Sequence, residues 1–211
     1  MSSLRASLLV ITVLVVVIAV LAHLVRILIE RCDKNKTKRL SRIPGRYAIL
    51  EEMARDLIAA CNQEGVTLIP SYGTLLGLHR DRAIIGHDYD CDFWIPAHQL
   101  CKAWKTIKNM DKYKAKRLNI LWHSKLILKH SSGLHTDILL IKSDSRTGTT
   151  RENVFYGGSL RHPTVKKYRR DWVFPLARRE TKYGEVWFPS QTEQLLIRWY
   201  GDWEKPVVYA G

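Results

Sequence analysis

Acidic residues spaced two apart are the side chains of this chain best suited to chemistry. Asp88, Asp90 and Asp92 alternate through the segment HDYDCD. Alternate side chains of a β-strand point to the same face, so Asp90 and Asp92 would project together, with Asp88 at the start of the strand. Like charges on one face repel, and a hard divalent cation such as Mg²⁺, which binds carboxylate and phosphate oxygens, offsets them. The spacing therefore predicts a metal site.

A further carboxylate, Asp137, lies in the strand-like segment HTDILLIK. Apolar neighbours make this an unfavourable place for an unpaired charge. If this strand lies beside the first, Asp137 joins Asp90 and Asp92, and such a group can bind two ions that stabilise an in-line displacement at phosphorus. The alternatives stay open at this point, because an isolated D-x-D is often a solvated strand edge and Asp137 could be an ion-paired structural acid.

Upstream of these acids, Gly73, Thr74 and Arg80 are suited to binding phosphate. Gly73 and Thr74 open a predicted short helix, and a glycine turn before a helix exposes backbone N–H groups to phosphate. Thr74 could also cap that helix, and Arg80 follows one to two turns later as a charged donor. Gly73 by itself is typical of an ordinary turn.

The elements that must position these residues follow from periodicity. Apolar residues recur every 3.6 residues from Tyr47 to Glu64, which predicts an amphipathic helix. Short apolar runs predict strands over 66–69 and 90–95. The other predicted elements are a helix over 99–111, strands within 119–128 and over 135–142, a loop over 147–150 and a helix over 192–200. Interleaved strands and helices favour an α/β or α+β sheet domain.

The N-terminal region differs in composition from the rest. Leu8 to Ala22 contain no charge, Gly or Pro, and the apolar run continues past His23 to Val25. A transmembrane helix needs about 20 apolar residues, whereas the apolar part of a signal peptide is shorter and precedes a small-residue cleavage site. We therefore predict a transmembrane anchor over 1–29, with a cleaved signal peptide and a buried helix as alternatives.

Basic residues follow this run, and the 211-residue chain carries a net charge of +14. Residues 30–46 are predicted to form a basic linker, residues 47–206 a domain and residues 207–211 a tail. The positive-inside rule places the domain in the cytoplasm, and the charge suits an anionic membrane surface or a solvated stem equally. A peripheral binder of nucleic acid or anionic lipid would also be basic, with affinity that falls steeply with salt.

Two motifs resemble the signature of the LicD/fukutin family, which is roughly YGTLLGxxR, a short loop and IPWDxDxD. They are Tyr72–Arg80 (YGTLLGLHR) and Ile85–Asp92 (IGHDYDCD). The C-terminal segments FPL, YG, VWFP and YGDW are similar too, so the resemblance spans roughly Tyr47 to Pro206. One departure is that Gly86-His87 stand where the family pattern has Pro-Trp.

The resemblance implies an α+β fold, with a nucleotidyltransferase-like mixed sheet flanked by helices and preceded here by the N-terminal transmembrane helix. It implies transfer of a phosphorylated alcohol, of the phosphocholine or ribitol-phosphate class, from a CDP-activated donor to a glycan or glycoconjugate hydroxyl, releasing CMP. Mg²⁺ or Mn²⁺ would be the cofactor, and no nucleic acid partner is expected. Eukaryotic relatives suggest a Golgi or endoplasmic reticulum membrane, with a cytoplasm-facing domain as the alternative.

By the same resemblance, Asp90 and Asp92 would form the metal pair, Asp88 would be a supporting ligand and Asp137 the third carboxylate. Asp90, Asp92 and Asp137 would be the catalytic residues. Gly73, Thr74 and Arg80 would hold the donor phosphates. The departure at Gly86-His87 motivates an alternative, a catalytically inactive family member that acts as a membrane-bound scaffold.

Overall fold

The computed structural model describes residues 2–120, 123–154 and 164–205. The described residues up to Arg39 form one compact unit, and those from Leu40 onward form a second, larger one. The predicted tail at 207–211 lies outside the described residues. All elements of the candidate site belong to the larger unit.

A single long helix, α1 (Ser2–Ser41), accounts for the N-terminal unit. The helix continues through most of the basic segment predicted as a linker, because Lys and Arg are good helix formers. Within residues 2–120, 123–154 and 164–205 no helix is long and apolar enough to cross a membrane, so the predicted transmembrane segment is not found.

Among the described residues, seven strands form one mixed sheet. They are β1 (Ile69–Pro70), β2 (Asp90–Pro96), β3 (Lys114–Ile120), β4 (His123–Lys129), β5 (His135–Asp144), β6 (Thr149–Val154) and β7 (Thr164–Arg169). The order is β1-β2-β5-β4-β3, β2 and β5 are parallel, and the other pairs are antiparallel. The last residues of β5 pair with β6, which pairs with β7. A separate hairpin joins β8 (Ala177–Thr181) to β9 (Gly184–Phe188).

Helices cover both faces of this sheet, which confirms the predicted α+β class. They are α2 (Arg46–Gln63), α3 (Tyr72–Leu76), α4 (Leu100–Lys108), α5 (Arg170–Val173) and α6 (Thr192–Tyr200). Both α2 and α4 pack against β2, while α3 packs against β2 and α6. Along β2, Cys91, Phe93 and Ile95 are buried on one face, and Trp94 is buried on the opposite face against aromatic residues of α3 and α6. The two acidic positions of β2 share the face of Trp94.

The strands predicted within 119–128 occupy 114–120 and 123–129, and two further short segments differ from their predicted elements. The strand expected over 66–69 begins only at Ile69, because the Val66 N–H donates to the Cys61 carbonyl (2.7 Å) and completes the end of α2. The loop expected over 147–150 already contains the start of β6. Gly148, with φ of 60°, makes the turn that leads into this strand.

Close packing at Gly77, the first residue of a π-helical turn over Gly77–Asp81, leaves no room for a side chain. A Cβ there would lie 2.4 Å from the Ala83 carbonyl oxygen and 3.0 Å from the Ile85 nitrogen. Gly77→Ala should lower the free energy of unfolding by about 1–3 kcal/mol. Thermal unfolding should show this as a loss of several degrees, while Gly86→Ala, whose Cβ would meet nothing within 4 Å, leaves the midpoint unchanged. Equal midpoints for the two variants would contradict this packing.

Candidate active site

Two strands bring the predicted acids together at one edge of the site. Asp92 on β2 lies directly opposite Asp137 on the parallel neighbour β5, and Asp90 lies opposite His135. Residues opposite one another in a ladder share a face, so Asp90, Asp92 and Asp137 lie on the same face of the sheet. His135 Nε2 is 3.8 Å from Asp90 Oδ2. The strand pairing on which the predicted acidic cluster depends is therefore present.

Electrostatic conditions in this cluster disfavour the ionised form of Asp92. Burial raises the pKa of Asp92 well above its usual range, and the negative charges of Asp90 and Asp137 raise it further. Burial also raises the pKa of Asp88. The site therefore concentrates carboxyl groups where water stabilises their charges poorly, so a cation bound there would lower the free energy of the ionised forms.

Lys125, on β4, is a member of the cluster that the sequence analysis missed. Its Nζ forms an ion pair with Asp137 Oδ2, and both side chains are largely buried. In the β4–β5 ladder Asp137 lies opposite Ile127, two residues from Lys125, so the lysine reaches it diagonally on the same face. The signal in the sequence is a lysine two residues before Ile127, directly before the apolar run Leu126–Leu128.

The other carboxylate oxygen of Asp137 has no hydrogen-bond partner among the residues that the structure describes. Its Oδ1 atom is buried and forms no hydrogen bond within the structure. A buried polar atom left without a partner is costly and is uncommon in folded proteins. This oxygen can accept a proton, a hydrogen bond from a substrate hydroxyl, or a metal ion.

Thr74 of α3 and Ser71, the residue just before α3, form hydrogen bonds to the backbone N–H and carbonyl of Asp92. The Asp92 N–H donates to Thr74 Oγ1 (2.8 Å), and the Ser71 N–H donates to the Asp92 carbonyl (3.0 Å). Gly73 packs against Asp88, since a Cβ on Gly73 would lie 2.7 Å from Asp88 Oδ2. Gly73 and Thr74 thus lie inside α3, rather than in a turn before it, and each contacts one of the predicted acids.

Tyr72, the first residue of α3, has an unusual backbone conformation. Its φ of 48° is in the left-handed region, which costs a non-glycine residue about 1–3 kcal/mol. Its ring packs against the tilted ring of Trp199, with the two centroids 4.6 Å apart. Its hydroxyl donates to Glu152 Oε2 (2.5 Å). Such strain persists only where surrounding contacts fix the residue, and these contacts do so.

Arg80 forms hydrogen bonds outside the acidic cluster. Its guanidinium forms a bidentate pair with Asp81, at 2.7 and 2.8 Å, and donates to the Trp203 carbonyl (3.1 Å). A guanidinium has five N–H donors, so two remain for another acceptor. The role predicted for Arg80 in phosphate binding stays a prediction, whereas its contacts to Asp81 and the C-terminal segment are observed.

The loop that leads into β2 is held by residues from other elements. Arg46 Nη2 donates to the Gly86 carbonyl (3.2 Å), and the Ile84 N–H donates to the Tyr183 hydroxyl (3.1 Å). Tyr183 in turn donates to Glu51 on α2 (2.7 Å). Gly86, which stands where the family pattern has Pro, is therefore held by a hydrogen bond from the Arg46 side chain.

The ligand set predicted for a metal ion, Asp88, Asp90, Asp92 and Asp137, stays a prediction. Among the described residues, no group of three or more His, Cys, Asp or Glu side chains is arranged so that it could hold a metal ion. Asp92 and Asp137 are a two-carboxylate arrangement, supplemented by Asp88 and Asp90 nearby in sequence. A metal ion at this site would therefore need further ligands from substrate or water.

Comparison with known families decides the identity of this domain. Residues 65–191 match the profile described as LicD/FKTN/FKRP, nucleotidyltransferase domain. The chain belongs to this family. It is a LicD-like transferase of the nucleotidyltransferase superfamily, as the two motifs suggested, and the matched region contains the acidic cluster, Lys125 and Glu152.

Solved structures similar to this LicD-family chain include an antibiotic adenylyltransferase and an antibiotic-resistance factor. The lincosamide antibiotic adenylyltransferase LnuA, solved with lincomycin bound, has a TM-score of 0.45 and 17% identity, over 66% of this chain and 79% of LnuA. The antibiotic-resistance factor ANT(2'')-Ia in solution has a TM-score of 0.39 and 10% identity, over 47% of this chain and 50% of that protein. Among curated proteins no match is found.

The raised pKa of Asp92 predicts an unusual dependence of stability on pH. The pKa of Asp92 is higher in the folded state than in the unfolded state. The contribution of Asp92 to stability is therefore fully present below about pH 3.9, and it is lost as pH rises through the pKa of the folded state. Without metal, Asp92→Asn should therefore unfold a few degrees higher than the native sequence at pH 7, and this advantage should shrink toward pH 4. Thermal unfolding in a chelator at both pH values measures it.

Asp202→Asn is the matched control for this prediction. Asp202 is exposed and pairs with Lys205 (2.8 Å), and such surface pairs contribute little to stability. Its unfolding midpoint should equal that of the native sequence at both pH values. A constant difference between Asp92→Asn and the native sequence across this pH range would contradict the inferred electrostatics.

Proposed function

We propose that this LicD-family domain transfers a phosphorylated alcohol from a CDP-activated donor to a hydroxyl of a glycan or glycoconjugate and releases CMP. The observation that carries the proposal is the pairing of Asp92 with Asp137 across two parallel strands, within a domain of this family. The head group is of the phosphocholine or ribitol-phosphate class, as the family resemblance implies. Nucleic acid is not an expected partner, and a location at a Golgi or endoplasmic reticulum membrane, or facing the cytoplasm, stays a prediction.

The residues at this site fit Mg²⁺ or Mn²⁺. Magnesium in phosphate-handling sites binds through one or two carboxylates and completes its coordination with substrate phosphates and water. Asp92 and Asp137 supply two carboxylates from neighbouring strands, which is the number of protein carboxylates that such a site uses. Asp90 and Asp88 are additional acidic groups beside them. The bound ion would supply positive charge against the donor phosphates.

The protein groups have distinct roles in the proposed transfer. The acceptor oxygen forms a bond to the distal phosphorus as the bond from that phosphorus to the CMP oxygen breaks, and the hydroxyl proton passes to Asp137 Oδ1. Lys125 holds the other oxygen of that carboxylate, which fixes its orientation. Thr74 and Ser71 hold the backbone of Asp92 in place. Arg80 is proposed to use its remaining donors on a donor phosphate.

Replacing Asp137 tests the proposed proton acceptor. Asp137→Asn should lower the rate of CMP release about 100-fold or more, because positioned general bases contribute about 10²–10⁴-fold to rates. The measurement is CMP release from CDP-choline, CDP-ribitol and CDP-glycerol with Mg²⁺ present, in the presence of a glycan acceptor.

The same substitution at Asp144, further along β5, is the control. Asp144 accepts a hydrogen bond from the Arg146 N–H (2.9 Å) and lies at the far end of the strand, so Asp144→Asn should keep full activity. Equal rates for Asp137→Asn and the native sequence would refute the proposed role. Absence of release from all three donors by the native chain would favour the alternative, an inactive family member that acts as a scaffold.

Ligand-dependent stability tests metal binding apart from catalysis. Mg²⁺ together with CDP should raise the unfolding midpoint of the native chain, since a ligand at 100 times its Kd stabilises the folded state by about 2.7 kcal/mol. Asp92→Asn should lose most of this rise, and Asp202→Asn should keep it. A rise that persists in Asp92→Asn and disappears with salt would instead indicate nonspecific binding to the basic surface.

A further inference from the structure

Glu152, on β6, is a buried carboxylate that the proposed transfer does not use. Its side chain is fully buried. Three donors converge on it: the Tyr72 hydroxyl (2.5 Å) and the Tyr168 hydroxyl (2.8 Å) on Oε2, and Trp94 Nε1 (2.9 Å) on Oε1. A buried charge is retained only where hydrogen bonds and countercharge offset its desolvation. The donors to Glu152 come from three separate elements, α3, β7 and β2.

This carboxylate lies on the same face of the sheet as the acidic cluster. Trp94 is two residues from Asp92 on β2 and therefore shares its face. Glu152 lies opposite Ile141 of β5, which shares the face of Asp137, four residues earlier on the same strand. The Glu152 cluster and the acidic pair are thus successive rows of side chains on one surface.

Tyr72 connects the two rows. It is held at one end by Glu152, and it is followed directly by Gly73, which contacts Asp88, and by Thr74, which holds Asp92. Lys166, opposite Glu152 on β7, donates to the Tyr72 hydroxyl (2.8 Å) and lies 4.3 Å from the centre of its ring. These contacts hold Tyr72 in its left-handed conformation.

We propose that Glu152 is a positioning residue, which anchors the Tyr72 hydroxyl and so sets the place of Gly73 and Thr74 against Asp88 and Asp92. Its effect on turnover rests on the function proposed above. Its effect on the conformation of α3 is independent of any reaction. Loss of the anchor releases the left-handed backbone at Tyr72, and the acids of β2 lose their alignment.

Two tyrosines that donate to the same oxygen of Glu152 provide a matched comparison. Tyr72→Phe removes the hydroxyl that anchors α3. Tyr168→Phe removes a hydroxyl of β7 that lies 3.3 Å from the Tyr72 hydroxyl, but it leaves the hydrogen bond from Tyr72 to Glu152 in place. Each substitution deletes one buried phenol and keeps the ring. A role confined to stability predicts the same behaviour for both, and the positioning role predicts a difference between them.

The experiment measures amide hydrogen exchange of residues 73–76 and 92, together with kcat and KM for CMP release. For Tyr72→Phe and Glu152→Gln, exchange at these amides should rise at least about 10-fold, and kcat should fall about 10- to 100-fold with KM nearly unchanged. Tyr168→Phe should keep the native exchange at these amides and the native kcat. The double variant Tyr72→Phe/Glu152→Gln should have the kcat of Tyr72→Phe, because both substitutions break the same connection.

The exchange measurement separates this proposal from the proposed function. If the native chain releases no CMP, exchange at residues 73–76 still tests the anchor. Native exchange at these amides in Tyr72→Phe would overturn the proposal, and so would an equal fall in kcat for Tyr168→Phe. If Glu152→Gln does not fold, Tyr72→Phe and Tyr168→Phe alone give the decisive comparison.

Discussion

Parallel pairing of β2 with β5 places two carboxylates side by side in a partly buried position, and the surrounding structure is arranged around that constraint. Asp92 and Asp137 are opposite one another in the ladder, so the sheet fixes the positions of their Cβ atoms, and side-chain rotation can separate the carboxylates only within that limit. Burial and the neighbouring negative charges raise the pKa of Asp92. Lys125 neutralises part of this charge through one oxygen of Asp137, and the other oxygen has no hydrogen-bond partner within the described part of the chain.

The elements around this pair hold it from several directions. Helix α3 fixes the peptide of Asp92 through Thr74 and Ser71, and the loop before β2 is tied to α2 and the β8–β9 hairpin. The strained backbone of Tyr72 is held by the buried Glu152 cluster. A site that binds a highly charged substrate needs such rigidity, because misplacement of a catalytic group by 1 Å can cost about 100-fold in rate.

Local patterns in the sequence were sufficient for much of the fold. The 3.6-residue period predicted α2 to within a residue at each end, and the helix over 192–200 agrees with α6. Alternation placed Asp90 and Asp92 on one face, and the YGTLLG and HDYDCD motifs led to the family. Long-range features were not accessible in this way, because periodicity gives the face of a strand but neither its neighbour nor its register.

The sequence analysis missed Lys125 and Glu152 because it could not predict which strands are neighbours. Each is a charged residue on a strand, which in sequence alone is typical of an exposed side chain. The pairing of β4 with β5 brings Lys125 to Asp137. The pairing of β6 with β7 brings Glu152 to the hydroxyl of Tyr168. Gly73 was expected to open the helix, and the helix begins one residue earlier, at Tyr72.

The most direct test of the account is a crystal structure of the chain with CDP and Mn²⁺ in place of Mg²⁺, located by anomalous scattering. The account predicts a manganese peak about 2 Å from carboxylate oxygens of both Asp92 and Asp137, with the diphosphate of CDP completing its coordination. Manganese and CDP bound elsewhere, with Asp137 still paired only to Lys125, would contradict it.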